Sequence, residues 1–255
     1  MDFIQKTKKL AEYIFKAHNI VFFGGAGVST ESGIPDFRSA NGIYNTEEYD
    51  EPPEVMISRS YFFGHTDKFY DFYKKKLLYP GALPNEAHKI LAELEKAGKL
   101  TAVITQNVDG LHRLAGSKNV IELHGSAHRN ICLECKKIFD VNYIMQSEKT
   151  PLCSDCGGLI KPDVVLYEEP LNEEAVMSAV QHLNDADMLI VGGTSLAVYP
   201  AAHYISYFYR RKNPAKKSAI INKSETYYDD MFDISIYEDG IGSVLSKVYA
   251  EFVLL

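Results

Sequence analysis

Short runs of apolar residues, each about the length of one strand, recur along the chain with helix-period stretches between them. This alternation restricts the fold more than any other feature. The runs are Ile20-Val21-Phe22-Phe23, residues 101–105, residues 120–123, Val164-Val165-Leu166, Met188-Leu189-Ile190-Val191 and Ala219-Ile220-Ile221. Most show no alternation with polar residues, which is the pattern of strands buried on both faces. Apolar residues at helical spacing fill several of the intervals. Phe3, Leu10, Tyr13 and Ile14 mark a helix over residues 2–18, and similar patterns cover 85–96, 173–183, 201–211 and 241–252. Strands alternating with helices predict an α/β fold, a parallel sheet with helices on both faces. A chain of 255 residues is long enough for one such domain and a small satellite.

The stretch 127–161 breaks the rhythm. It holds all four cysteines, as Cys132-Leu-Glu-Cys135 and Cys153-Ser-Asp-Cys156, with seventeen residues between the pairs. Two C-x2-C knuckles at this separation predict a zinc ribbon, each pair wrapping one edge of a tetrahedron. Four thiolates close the metal shell and leave no position for water or substrate. The predicted zinc is therefore structural, one ion holding together a module too small to build its own core. A redox C-x2-C would need a single pair at the start of a βαβ unit instead.

Three places suggest chemistry. The run 20–23 ends in Gly24-Gly25-Ala26-Gly27-Val28-Ser29-Thr30, small residues that let backbone approach a phosphate. The dehydrogenase fingerprint is absent, because no third glycine follows. No second strand ends in an acidic residue about 20 positions on. Next, Gly33-Ile34-Pro35-Asp36-Phe37-Arg38-Ser39 sets a carboxylate, a ring and a guanidinium side by side, which suits a flat ligand and its phosphates. Finally, polar residues gather at predicted strand ends: Thr105-Gln106-Asn107-Val108-Asp109, His124-Gly125, Gly193-Thr194-Ser195 and Asn222. In open α/β sheets ligands sit at these ends. Histidine is the usual base near neutral pH, and of eight histidines His124 is the one placed at a strand end. His112 and His128 are ambiguous neighbours. His18, His65, His88, His182 and His203 read as core or surface residues.

Bulk properties narrow the class. The net charge of −7 argues against nucleic acid as a partner. The basic clusters Lys74-Lys75-Lys76 and 210–217 read as solvated faces. No apolar run approaches the roughly 18 residues of a membrane span. Charge in the first six residues argues against a secretory signal, so a cytoplasmic protein is expected.

Taken in order, Gly25-Ala-Gly-Val-Ser-Thr30, Gly33-Ile-Pro-Asp-Phe-Arg-Ser39, Thr105-Gln-Asn-Val-Asp-Gly-Leu-His112, His124-Gly125, the cysteine pairs, Gly193-Thr-Ser195 and Asn222 resemble the sirtuin family. The resemblance runs from about residue 20 to about residue 241, with termini like those of bacterial members. It implies an NAD-dependent protein lysine deacetylase with a Rossmann-like sheet and a zinc-bearing small domain. It further implies a Rossmann-like NAD domain of residues 1–45, 85–126 and 161–255. The small domain would be a helical insert, 46–84, and the zinc ribbon, 127–160. Ala26, Thr30, Asp36, Phe37 and Arg38 would line the NAD cleft, and Gln106 and Asn107 its ribose side. Phe37, Val108 and Asp109 would form the nicotinamide pocket. Thr194, Ser195, Asn222 and Gly240 would meet the adenosine half. His124 would be the base, with Asn107 and Asp109 in the catalytic set. Tyr70, Val164 and Tyr167 would meet the acetylated lysine of a protein substrate. The implied products are nicotinamide, free lysine and O-acetyl-ADP-ribose. A monomer is expected.

Two departures bear on substrate choice. Members that prefer acidic acyl groups carry Tyr-x-x-Arg beside the acyl pocket. Here Tyr70 matches, but Tyr73 stands in place of arginine, so acetyl is expected over succinyl. The usual Phe-Gly-Glu is Tyr167-Glu168-Glu169, and the added carboxylate would favour basic substrate sequences. Two alternatives stay open: mono-ADP-ribosyl transfer to proteins, and a zinc-ribbon binding module with an inactive NAD fold.

Overall fold

The structure, a computed structural model, describes every residue except 41, 46–48, 50, 211, 212 and 239. Its larger sheet has six parallel strands: β1 (Ile20–Gly24), β2 (Leu100–Thr105), β3 (Val120–Glu122), β7 (Met188–Gly192), β8 (Lys217–Asn222) and β9 (Ile234–Tyr237). Their spatial order is β3-β2-β1-β7-β8-β9. A smaller antiparallel sheet, ordered β5-β4-β6, is made of β4 (Gly125–Cys132), β5 (Ile138–Phe139) and β6 (Ile160–Val164). The helices are α1 (Phe3–Lys16), α2 (Pro53–Met56), α3 (Arg59–Gly64), α4 (Thr66–Lys76), α5 (Glu86–Lys96), α6 (Leu111–Leu114), α7 (Val141–Gln146), α8 (Glu173–Asp185), α9 (Ser206–Tyr209) and α10 (Ile241–Val253).

The apolar runs explain the layering. Along β1, Ile20 and Phe22 pack into one core with α1, α5 and α10. Val21 and Phe23 point to the opposite face, into a core with α8 and α9. A strand buried on both sides needs no polar alternation, and β1, β7 and most of β8 show none. Helix ends follow their caps. Asp2 and Gln5 form a capping box at α1, and Asn85 caps α5 through the Ala87 amide.

A third core joins the helical insert to the cysteine module. Phe62, Phe69, Tyr70, Phe72 and Tyr73 pack with Cys132, Phe139, Ile144, Cys153 and Ile160. Lys74, in the last turn of α4, donates to the carbonyls of Ser147 and Lys149, so this part of the basic cluster ties two segments together.

Three expectations change. The run 164–166 is not a strand of the parallel sheet: β6 ends at Val164 and pairs antiparallel with β4. Apolarity alone does not reveal which sheet a strand joins. Strand β9, Ile234–Tyr237, adds an edge strand that the apolar runs do not mark, because it is only four residues long and has no unbroken apolar run. The expected helix over 201–211 is a 3₁₀ turn, Ala201–Ile205, followed by the short α9. Its sequence is rich in aromatic residues, which lose rotamer freedom in a helix. Arg211, and with Lys212 part of the second basic cluster, lies outside the described residues. Among those residues, no helix is long and apolar enough to cross a membrane.

Candidate active site

From β1 the chain steps to β2 and β3 on one side of the sheet, and from β7 to β8 and β9 on the other. The carboxyl ends of β1 and β7 therefore flank a switch point, where an open α/β sheet leaves a crevice. Here the two loops meet closely. Gly27 N–H donates to the Gly193 carbonyl at 2.8 Å. A Cβ on Gly193, whose φ is +60°, would lie 2.4 Å from the Val28 nitrogen. Only glycine permits that approach.

The crevice opens into a cleft of about 500 Å³, within the usual range for small-molecule sites. It is lined by Ala26, Asp36, Phe37, Arg38, Gln106, Asn107, Val108, Asp109, His124, Thr194, Ser195 and Asn222, and by Val164 and Tyr167. Thr30 borders an adjoining recess shared with Asp36, Gly193 and Asn222. Gly240 lines neither space. It is the residue before α10 and packs against the Glu31 carboxylate, which accepts from the Gly242 amide. Tyr70 does not line the cleft either, since its buried hydroxyl donates to the Ile160 carbonyl. Tyr73, fully buried, lines the cleft one turn further along α4.

Side-chain hydrogen bonds fix the floor. Asn107 Nδ2 donates to Ser29 Oγ at 3.0 Å, and Ser29 Oγ donates to Asp109 Oδ2 at 2.6 Å. The second Asp109 oxygen accepts from the Leu111 amide. The chain has one polarity, with Asp109 as its terminal acceptor. Ser29 was not singled out in the sequence, although its hydroxyl sits in the Gly-rich loop. On the other side, Gln106 Nε2 reaches Thr194 Oγ1 at 3.1 Å. Asn222 accepts from the Thr194 amide and donates to the Thr194 carbonyl. These bonds lock together the ends of β2, β7 and β8.

His124 lies between β3 and β4, where the chain leaves the large sheet for the small one. Its Nδ1 is 2.9 Å from the Gln106 carbonyl. A carbonyl can only accept, so Nδ1 carries the proton and Nε2 of the neutral ring is a free base. Burial pushes the imidazole below its usual pKa of 6.5, with the Gln106 bond acting the other way. Glu122 anchors both flanks of this junction. One oxygen meets Arg113 at 3.4 Å and the other meets Arg129 at 2.9 Å, while Arg129 also pairs with Asp163 of β6 at 2.8 Å. The other two histidines near the site stand apart from the cleft lining. His128 Nε2 bonds the Asp109 carbonyl. His112 is buried with its ring centroid 4.6 Å from that of His88.

The four cysteine sulfurs lie within 4.8 Å of one another. Cys132 and Cys156 are 3.5 Å apart, Cys135 and Cys153 3.6 Å. A disulfide needs about 2.05 Å, whereas a tetrahedron with Zn–S of 2.3 Å has edges of about 3.8 Å. The donor set and its spacing fit zinc.

A parallel sheet with a cleft at its switch point, lined by polar strand-end residues and by Val164 from the small sheet, together with a four-cysteine ribbon, defines a class of zinc-bearing enzymes built on a Rossmann-like nucleotide fold. The comparisons narrow the class. The model of the Sir2 family matches residues 25–200. An NAD-dependent protein deacetylase of Clostridium tetani is 56% identical over 96% of this chain and 97% of its own length. One from Clostridium perfringens is 54% identical over 95% and 98%. A Sir2 structure with a deacetylated p53 peptide and 3′-O-acetyl ADP-ribose superposes with a TM-score of 0.87. It shares 38% identity and covers 96% of this chain and 98% of that one. The chain belongs to the Sir2 family.

Proposed function

We propose that this cleft carries out lysine deacetylation with His124 as its base. The chain is an NAD-dependent protein deacetylase, as its relatives are. The observation that carries the residue assignment is the His124–Gln106 bond, which commits Nδ1 and leaves Nε2 to accept a proton beside Asn107 and the rest of the lining.

The residues fit the dinucleotide. Ala26, Thr30, Asp36, Phe37 and Arg38 would hold its phosphates and flank its nicotinamide end. Thr194, Ser195 and Asn222 would meet the adenosine half. Phe37, Val108 and Asp109 form the nicotinamide pocket, to which the Ser29 hydroxyl adds a fixed polar group. NAD, when bound, would supply a ribose carbon from which nicotinamide departs and a ribose hydroxyl to which the acyl group passes. The chain supplies orientation, a largely apolar enclosure and a base of set tautomer. The four thiolates of Cys132, Cys135, Cys153 and Cys156 would hold one structural zinc.

The substrate is an acetylated lysine of a protein, received between Val164, Tyr167 and His124. Tyr73 terminates this end of the cleft in place of a guanidinium. Burial holds its phenol neutral, so a succinyl carboxylate would be desolvated without a partner. The third core, which packs the insert against the ribbon and also takes in Ile43 and Leu166, supports grouping 46–84 with 127–160 as a small domain beside a NAD domain of 1–45, 85–126 and 161–255. A cytoplasmic monomer is proposed; among the described residues no helix is long and apolar enough to cross a membrane.

Incubation with NAD and an acetyl-lysine peptide should yield nicotinamide, free lysine and O-acetyl-ADP-ribose in equal amounts. ADP-ribosylated peptide without deacetylation would establish the alternative transferase reaction instead.

A further inference from the structure

Glu168 has a φ of +75°, in the left-handed region that favours glycine. An L residue stays there only when its surroundings hold it. Here Ser60 and the segment 57–59 hold it. One Glu168 oxygen accepts from the Ser60 amide at 2.8 Å, and the other accepts from the Ser60 hydroxyl at 2.8 Å. Ser60 lies in the first turn of α3, whose start is fixed by Ser58 Oγ accepting from the Tyr61 amide. The backbone beside Glu168 is tied to the same segment. Tyr167 N–H donates to the Ile57 carbonyl at 3.1 Å, and Arg59 N–H donates to the Tyr167 carbonyl at 3.0 Å. The Tyr167 hydroxyl meets that of Tyr44 at 2.8 Å.

We infer that Glu168 is a positioning residue that clamps the substrate-facing segment 164–168 to α3, rather than a charge that reads the substrate. The inference rests on the proposal that Val164 and Tyr167 receive the acetyl-lysine peptide. A carboxylate engaged by two donors gives up both bonds if it turns to a substrate cation, so its negative charge is already committed within the fold. The clamp also offsets a backbone conformation that an unattached side chain would abandon. Its consequence is pre-organisation: the segment is held in a single geometry before the peptide arrives, so less ordering remains for binding to accomplish. Losing the clamp should therefore weaken peptide binding and leave the chemical step at His124 alone.

Two substitutions separate clamp from charge. Glu168→Gly suits the left-handed backbone but removes both acceptors. Glu168→Gln removes the charge, yet keeps an acceptor for the Ser60 amide and a donor for its hydroxyl. With NAD saturating, Glu168→Gly should raise KM for an acetyl-lysine peptide by about 3–10-fold with kcat within about two-fold. Glu168→Gln should restore KM to within about two-fold of the unaltered enzyme. The effect should be equal for peptides flanked by lysine or by glutamate. If Glu168→Gln behaves like Glu168→Gly, and only on lysine-flanked peptides, Glu168 reads charge and the clamp is wrong. Amide hydrogen exchange without peptide gives an independent reading, faster at residues 59–61 and 166–169 in Glu168→Gly than in the unaltered protein. Unchanged exchange would overturn the clamp whatever the kinetics. Absence of NAD-dependent deacetylation in the unaltered enzyme would instead overturn the functional reading and leave the exchange test standing.

Discussion

His124 illustrates how much one hydrogen bond decides. Its place at the end of a strand is legible in the sequence, but its tautomer comes from the Gln106 carbonyl. Because burial lowers its pKa, the neutral, base-competent ring persists below pH 6.5. The acid limb of kcat/KM should therefore fall below pH 6.5, with activity lost as pH drops through it. His124→Ala should lower turnover by at least about 100-fold while the zinc content and circular dichroism stay unchanged. Full activity in that variant would sink the base assignment. Tyr73 acts through what it lacks. Tyr73→Arg should raise the ratio of desuccinylation to deacetylation by about tenfold or more, read by paired peptide assays. An unchanged ratio would show that the acyl end of the cleft lies elsewhere.

At the scale of elements, the cysteine ribbon is the clearest case of sequence dictating structure. The two knuckles name the metal and its geometry, and the sulfur distances agree. What the spacing does not show is that β4 begins directly after His124 and that β6 ends at Val164, so the small sheet adjoins the cleft at both residues. Metal binding, at apparent values of about 10 kcal/mol or more, is folding free energy for such a module. Chelation of zinc should thus abolish deacetylation and release residues 127–160 to protease, while strands of the large sheet remain protected in hydrogen exchange. Retained activity in fully zinc-free protein would contradict this coupling. Elements with weaker patterns were harder to foresee. The edge strand β9 is only four residues long, and the run 164–166 is apolar for a different reason, because it joins the third core and lines the cleft.

For the whole molecule, the buried histidine pair links stability to pH. Burial pushes His88 down to about 4 and His112 to about 3, with His88 adding to the effect on His112. In the unfolded chain both would protonate near 6.5. Between pH 6.5 and 4 the unfolded state therefore binds more protons, and the folded state loses stability as pH falls. The unfolding free energy should decrease over that window by up to about 1.4 kcal/mol per pH unit for each histidine. His112→Phe should flatten the slope in denaturant titrations, and an unaltered slope would place the titrating groups elsewhere. The same pair shows the limit of reading composition. His88 and His112 are ordinary polar letters in the sequence, and only their burial, with His112 against Phe22 and the two rings against each other, keeps them neutral well below the usual range.

By itself the sequence determined the covered parallel sheet, the zinc ribbon and the family. Those follow from local patterns: unbroken apolar runs, cysteine spacing and ordered motifs at strand ends. The polar side chains at those ends were also named in advance, because burying them is costly without a ligand or a partner. Tertiary structure alone decided which of them meet. It joined Ser29 to Asn107 and Asp109, turned Tyr70 away to Ile160 and put Tyr73 in the cleft. It also tied Glu168 to Ser60, 108 residues away. Hydrogen-bond partners so distant along the chain leave no periodic trace, and a carboxylate reads the same whether it faces a substrate or its own fold.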